Sequence, residues 1–154
     1  MTMCDVDIDL TQSRPLRLGI ALSDGIHWDS DAAAERIRGV DLADIARKSV
    51  NRRRDQPDVD VVADIDIVIA AEARTARAML DASFDETRER TLLYVGTPSG
   101  LASLITDIHA LGIVDGAVLI PRTTQAAILI RDAVLPLLQT SLQLPAPGRE
   151  ARPA

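Results

Sequence analysis

Three stretches of this sequence have residue types and spacing that could do chemistry. The first is "VDVVADID", which places Asp60, Asp64 and Asp66 an even number of residues apart. In an extended strand the three project from one side, with neighbours two apart separated by about 6.5–7 Å. Carboxylates so placed could hold a hard cation such as magnesium. Such a site usually draws ligands from several elements, and the same residues suit a polar strand face turned to water, a barrel interior or a partner. The second stretch, "SDGIHWDS", gathers Asp24, His27, Trp28 and Asp29 after a strand. Ligand sites in parallel α/β proteins collect at the carboxyl ends of strands. This is the best local site candidate, beside the plainer reading of an ordinary surface loop.

The third stretch is Gly96-Thr97-Pro98-Ser99-Gly100. A phosphate-cradling P-loop needs GxxxxGK[ST], and Leu101 stands where its lysine would be; the dinucleotide fingerprint GxGxxG is missing as well. The N–H groups of a helix start can still bind an anion. A capping role already accounts for the residues: Thr97 suits an N-cap and Pro98 the first helical position. His109 falls between apolar helix positions and reads as a partly exposed helix residue. Cys4 is the single cysteine, so neither an internal disulfide nor a thiolate metal cluster is available. No Ser-His-Asp, HExxH or Cys-His arrangement stands out, and no residue is assigned a catalytic role.

The elements that would position these residues alternate between strand and helix. "LRLGIAL" reads as a short buried strand, and "SDGIHWDS" as a loop turning at Asp24-Gly25. A helix is expected through "AAAERIR", capped by Ser30 or Asp31 and ended at Gly39. A second helix follows through "ADIARKSVNRRR", with Leu42, Ile45, Ala46 and Val50 near helical spacing. Residues 59–69 favour a strand strongly, being β-branched with period two. Then come an alanine-rich helix, the connector "DETRER", a short extended "LLYV" and the Thr97-capped helix. That helix carries the stripe Leu101, Leu104, Ile105, Ile108 and Leu111 and closes at Gly112. "GAVLIP" is a buried strand, and Thr123 or Thr124 caps a long last helix that Pro136 should kink. Alternating units of this kind imply a parallel α/β sheet with right-handed crossovers.

With 154 residues the chain can bury one real core. Aromatics make up 2% of it, so Ala, Val, Ile and Leu must fill that core and no stacking platform for bases is present. A net charge of −6 also disfavours a nucleic-acid backbone as partner. Neither a secretory leader nor a membrane-length apolar run is recognisable. A cytoplasmic location is expected. Residues 1–14 read as a flexible N-terminus, 15–143 as the folded domain and 144–154 as a disordered tail.

Two stretches together, "VDVVADIDIVIAAEARTARAMLDA" and "LLYVGTPSGLASLITDIHALGIVDGAVLIP", resemble the C-terminal part of luciferase-like, flavin-dependent monooxygenases. The group that includes nitrilotriacetate monooxygenase is the nearest in flavour. "VLPLLQ" in the last helix is similar to the ending of that family, and the resemblance covers about residues 57–140. It implies parallel βα repeats forming a partial (half) TIM-type barrel, since an eight-stranded barrel needs about 200–250 residues. It also implies FMN as cofactor and oxygen insertion into a small organic substrate, with chemistry only when a partner chain or self-association completes the barrel. A non-catalytic half-barrel binding or assembly protein is the alternative. The family's phosphate-binding loop corresponds here to "IALSDGIHW". Ser23, Asp24 and Gly25 are therefore the candidate cofactor-binding residues, with weak FMN binding expected of the isolated chain. A half-barrel leaves strand edges and apolar faces open. The chain is thus expected to associate with itself or with a chain supplying the N-terminal half, and light scattering should give a mass above that of a monomer.

Overall fold

The computed structural model describes residues 14–83 and 91–143. Cys4, the connector "DETRER" and the two terminal segments lie outside the described residues.

The fold is built around β4 (Asp60–Ile69), whose residues are buried from Val61 onward. A β-branched strand buried on both faces suits the middle of a parallel sheet. β6 (Gly116–Pro121) runs parallel along one edge, from Val62 to Ile67. Two short strands share the other edge end to end. β3 (Ala34–Ile37) pairs with Asp60–Ala63, and β5 (Leu93–Gly96) with Asp66–Ile69, both parallel. β1 (Arg17–Leu22) lies parallel to β6, and β2 (Gly25–Trp28) closes that side as an antiparallel edge. The order is β2-β1-β6-β4-β3, with β5 also on β4.

The expected α/β class, parallel strands and half-barrel are present, in a curled mixed sheet. Successive strands of a TIM-type barrel lie side by side, whereas here β6 sits between β1 and β4 and β5 lies across β4 from it.

Helices cover both faces. α1 (Leu42–Asp55), α3 (Pro98–Ala110) and the last helix pack on the face of Ala63, Ile65, Ile67 and Ile69. α2 (Ala73–Ser83) packs on the opposite face, where Val68, Ala70, Ala76 and Val95 cluster. The last helix is continuous: α4 (Thr124–Leu129), a π turn (Ile130–Val134) and α5 (Leu135–Gln143). Thr123 caps it, accepting a hydrogen bond from the Ala126 N–H at 2.9 Å. Pro136 cannot donate to the carbonyl of Asp132. The wider π turn stands just before it, with the Leu135 N–H bonded to the Ile130 carbonyl.

Three local expectations are corrected. Half of "SDGIHWDS" is strand: the chain reverses at Ser23-Asp24 and pairs Leu22 with Gly25 through Gly19 with Trp28. The helix expected over "AAAERIR" is β3, because pairing to the exposed start of β4 overrides alanine's helical preference. Gly39 accordingly ends no helix. On α1 the inward residue after Ile45 is Ser49, one turn on, while Val50 is exposed.

Two glycines separate steric need from backbone need. A β-carbon at Gly116 would strike the carbonyl oxygen of Arg17 on the neighbouring strand, which cannot swing aside. Gly112 has φ +74° with open space around it. Gly116→Ala should cost about 3 kcal/mol or more as backbone overpacking, and Gly112→Ala about 1–2 kcal/mol as left-handed strain. Urea unfolding of both variants checks the ranking.

Candidate functional site

The acidic stripe of β4 lies on the face that α2 only partly covers. Arginines answer each carboxylate. Asp64, 1% exposed, accepts from Arg36 Nε and Nη2 and from Arg38 Nε, each at 2.9 Å. Asp60 takes Arg17 Nη1 at 3.0 Å and Arg14 Nη1 at 3.5 Å. Asp66 lies 3.8 Å from Arg122 Nη1. Such bonds are short and strong because both partners are charged. Among the described residues no group of three or more His, Cys, Asp or Glu is arranged to hold a metal ion. Guanidinium groups take the place that a cation would have filled.

Asp115 was not singled out from the sequence, yet it ties the amino end of the sheet together. Its Oδ2 accepts from the Val61 N–H at 2.8 Å and Arg14 at 3.2 Å, and its Oδ1 from Arg53 at 3.1 Å. Its own N–H donates to the Val61 carbonyl at 2.7 Å, and its carbonyl accepts from the Arg17 N–H at 2.9 Å. Only the pattern Asp-Gly before a buried strand hinted at it.

The glycine-rich corner is steric. The Tyr94 phenol folds over it, so that a β-carbon at Gly96 or Gly100 would collide with its hydroxyl. Thr97 caps α3, accepting from the Gly100 N–H at 3.2 Å. His109 Nε2 lies 2.9 Å from the Arg14 carbonyl oxygen, a tie within the fold.

The carboxyl ends of β1 and β6 frame a different feature, an open notch of about 470 Å³. Ser23, Arg122, Thr123 and Thr124 line its polar side, and Ala21 and Ala127 its floor. β4 leads into α2 on one face, whereas the neighbouring β6 leads into α4 on the other. Adjacent strands whose connections leave to opposite faces define a topological switch point, where open α/β sheets bind ligands; here that point lies between β4 and β6, one strand over from the notch. Arg122 spans that point: its N–H donates to the Ile67 carbonyl at 2.9 Å and its guanidinium reaches Asp66. The opening turn of the last helix adds N–H groups that have no intrahelical acceptor.

Of the three candidate cofactor-binding residues, Ser23 lines this notch. Asp24 turns across the hairpin to His27 Nε2 at 2.8 Å, and that hydrogen bond holds its carboxyl below the ordinary carboxylate range. Gly25 supplies the φ of +129° on which β2 starts. Arg122, Thr123 and Thr124 were not expected beside Ser23, because the pairing of β1 with β6 brings them there across about a hundred residues of chain.

The fold and this notch define a mixed α/β half-barrel domain with a polar cleft at the carboxyl ends of β1 and β6. No protein-family model matches the chain, and no curated protein matches it.

The arginine pairs carry a stability prediction. Arg36→Ala alone leaves Arg38 on Asp64. Arg36→Ala with Arg38→Ala strands a buried carboxylate, at a cost of about 3–5 kcal/mol. Chemical unfolding should show the double variant losing much more than twice the single loss.

Proposed function

We propose that this chain is a small-ligand-binding α/β domain that holds an anionic group in the notch between β1 and β6. The observation that carries the reading is that Ser23, Arg122, Thr123 and Thr124, the last two at the start of the last helix, line one notch at the carboxyl ends of β1 and β6. Each is a donor suited to phosphate. The resemblance to luciferase-like flavin enzymes makes FMN the first ligand to consider.

The residues present fit the phosphate end of FMN: Ser23 and Thr124 as hydroxyl donors, Arg122 as the cation and the first-turn N–H groups as further donors. FMN, when bound, supplies the redox chemistry. This chain's part is to anchor and orient the phosphate. The notch is open, and the residues lining it provide little apolar surface for a flavin ring. Affinity in this reading comes from the phosphate, and FMN binding by the chain alone is weak.

A second reading is an FMN-dependent oxidoreductase, built on the TIM-type half-barrel that the resemblance implies and completed by a second copy or another chain. The edge strands favour it. Among the described residues, β2 pairs only with β1, and β3 and β5 only with β4. Unpaired strand edges invite addition of further strands. Leu22 and Trp28 are partly exposed on the hairpin side of the sheet.

Titration with FMN and riboflavin, followed by flavin fluorescence, tests the first reading. FMN should bind at least about tenfold more tightly than riboflavin, because only FMN carries the phosphate. Ser23→Glu places a negative charge on an exposed turn and should abolish FMN binding with an unchanged circular-dichroism spectrum. Equal affinity for the two flavins, undiminished FMN binding by folded Ser23→Glu, or no FMN binding at all would sink it.

A further inference from the structure

On the face that carries the last helix, β1 and α5 stand apart and leave a groove of about 340 Å³. Leu16, Leu18 and Ile20 form the floor, Leu135 and Leu138 the far wall, and His27 of β2 the near wall. Leu18 and Ile20 stand only half-buried, although the other strands fill this face with buried side chains. The helix above them widens into the π turn of Ile130–Val134, which ends where Leu135 enters the groove. Turns of that kind recur at functional sites.

The volume falls within the range of small-molecule pockets, about 300–1,000 Å³. It is far short of what an inserted helix, about 10 Å across, would require. The ionisable groups around it are engaged with one another. Asp29 Oδ2 accepts from the Leu18 N–H at 2.9 Å and its Oδ1 from Arg17 Nε at 3.4 Å. His27 Nε2 meets Asp24 Oδ1 at 2.8 Å. Gln139 brings a neutral amide to the rim. An ionic ligand would shed its hydration here and gain no counter-charge. A molecule with an apolar body and one hydrogen-bonding end matches both the wall and the rim.

We infer that this groove is a second binding site, one that takes a neutral small molecule with an apolar body and a single hydrogen-bonding end. It is separate from the notch. The groove is floored by Leu16, Leu18 and Ile20, the notch is lined from Ala21 onward, and no residue lines both.

The chain has two histidines, so the imidazole proton resonances of the full chain give one reporter in the groove and one reference. Titration with 1-nonanol should shift the His27 resonances saturably and by more than those of His109. Sodium nonanoate, with the same chain and a charged end, should bind about tenfold or more weakly, because its carboxylate finds no partner. Ile20→Phe and Leu135→Phe each fill the groove from a different wall. Either should lose the His27 response with an unchanged circular-dichroism spectrum, and two variants keep the test open should one misfold. Equal response to nonanol and nonanoate, a response that never saturates, or a shift that persists in a folded filled variant would overturn the inference. A His27 shift that follows protein concentration alone and blocks nonanol would make a second copy the occupant, and would overturn it too.

Discussion

A nearly water-free carboxylate in the middle of the central strand is the constraint around which this protein is arranged. Asp64 sits among Val62, Val118 and Asp66 on one face of the sheet, where an uncompensated charge would cost several kilocalories per mole. Arg36 and Arg38 meet it with three hydrogen bonds. For both guanidinium groups to reach the same carboxylate, the chain around them must be extended, since side chains two residues apart in a strand share a face. β3 is therefore a strand, paired to the start of β4. The same logic runs along the stripe: Arg17 spans from Asp60 to Asp29 and to the carbonyls of Ala32 and Ala33, tying the β1–β2 hairpin to the chain that enters β3. Arginine suits this work because its fork stays charged and bonds two oxygens at once.

Covering one face of the sheet partly with ion pairs has a structural consequence. Only α2 is needed there, and the other helices all pack on the apolar face. β4 and β6 have connections that leave in opposite directions, and the cleft opens beside them, at the carboxyl ends of β1 and β6. Arg122 belongs to both systems. It pairs with Asp66 at the end of the stripe and lines the notch. The polar interior of the sheet and the proposed anion site are thus one continuous electrostatic arrangement.

The strand order bears on the resemblance to luciferase-like enzymes. The segments that carry it, residues 59–82 and 92–121, form consecutive βα units in which β4 and β5 are adjacent and parallel. β6 then crosses to the other edge of β4. The local units of a barrel and of an open doubly wound sheet are the same βαβ motif. A match in those units therefore speaks to the motif more than to the closure of the sheet.

Sequence alone determined whatever rests on neighbours along the chain. The period-two run of residues 59–69, the Thr97-Pro98 start of α3, the glycine close at Gly112 and the Thr123 cap are all legible, because caps and alternation act within a few residues. The tertiary structure alone decided what depends on distant partners. It made "AAAERIR" a strand, because β4 offered an edge and Asp64 a buried charge. It made the polar face of three aspartates an arginine ladder, since the arginines come from three separate segments of the chain. It assigned the glycines of the corner at residues 96–100 to the Tyr94 ring, and brought Arg122 to Ser23 by pairing β1 with β6. Each of these is a contact whose energy appears only once the sheet has chosen its order, and no local pattern encodes that order.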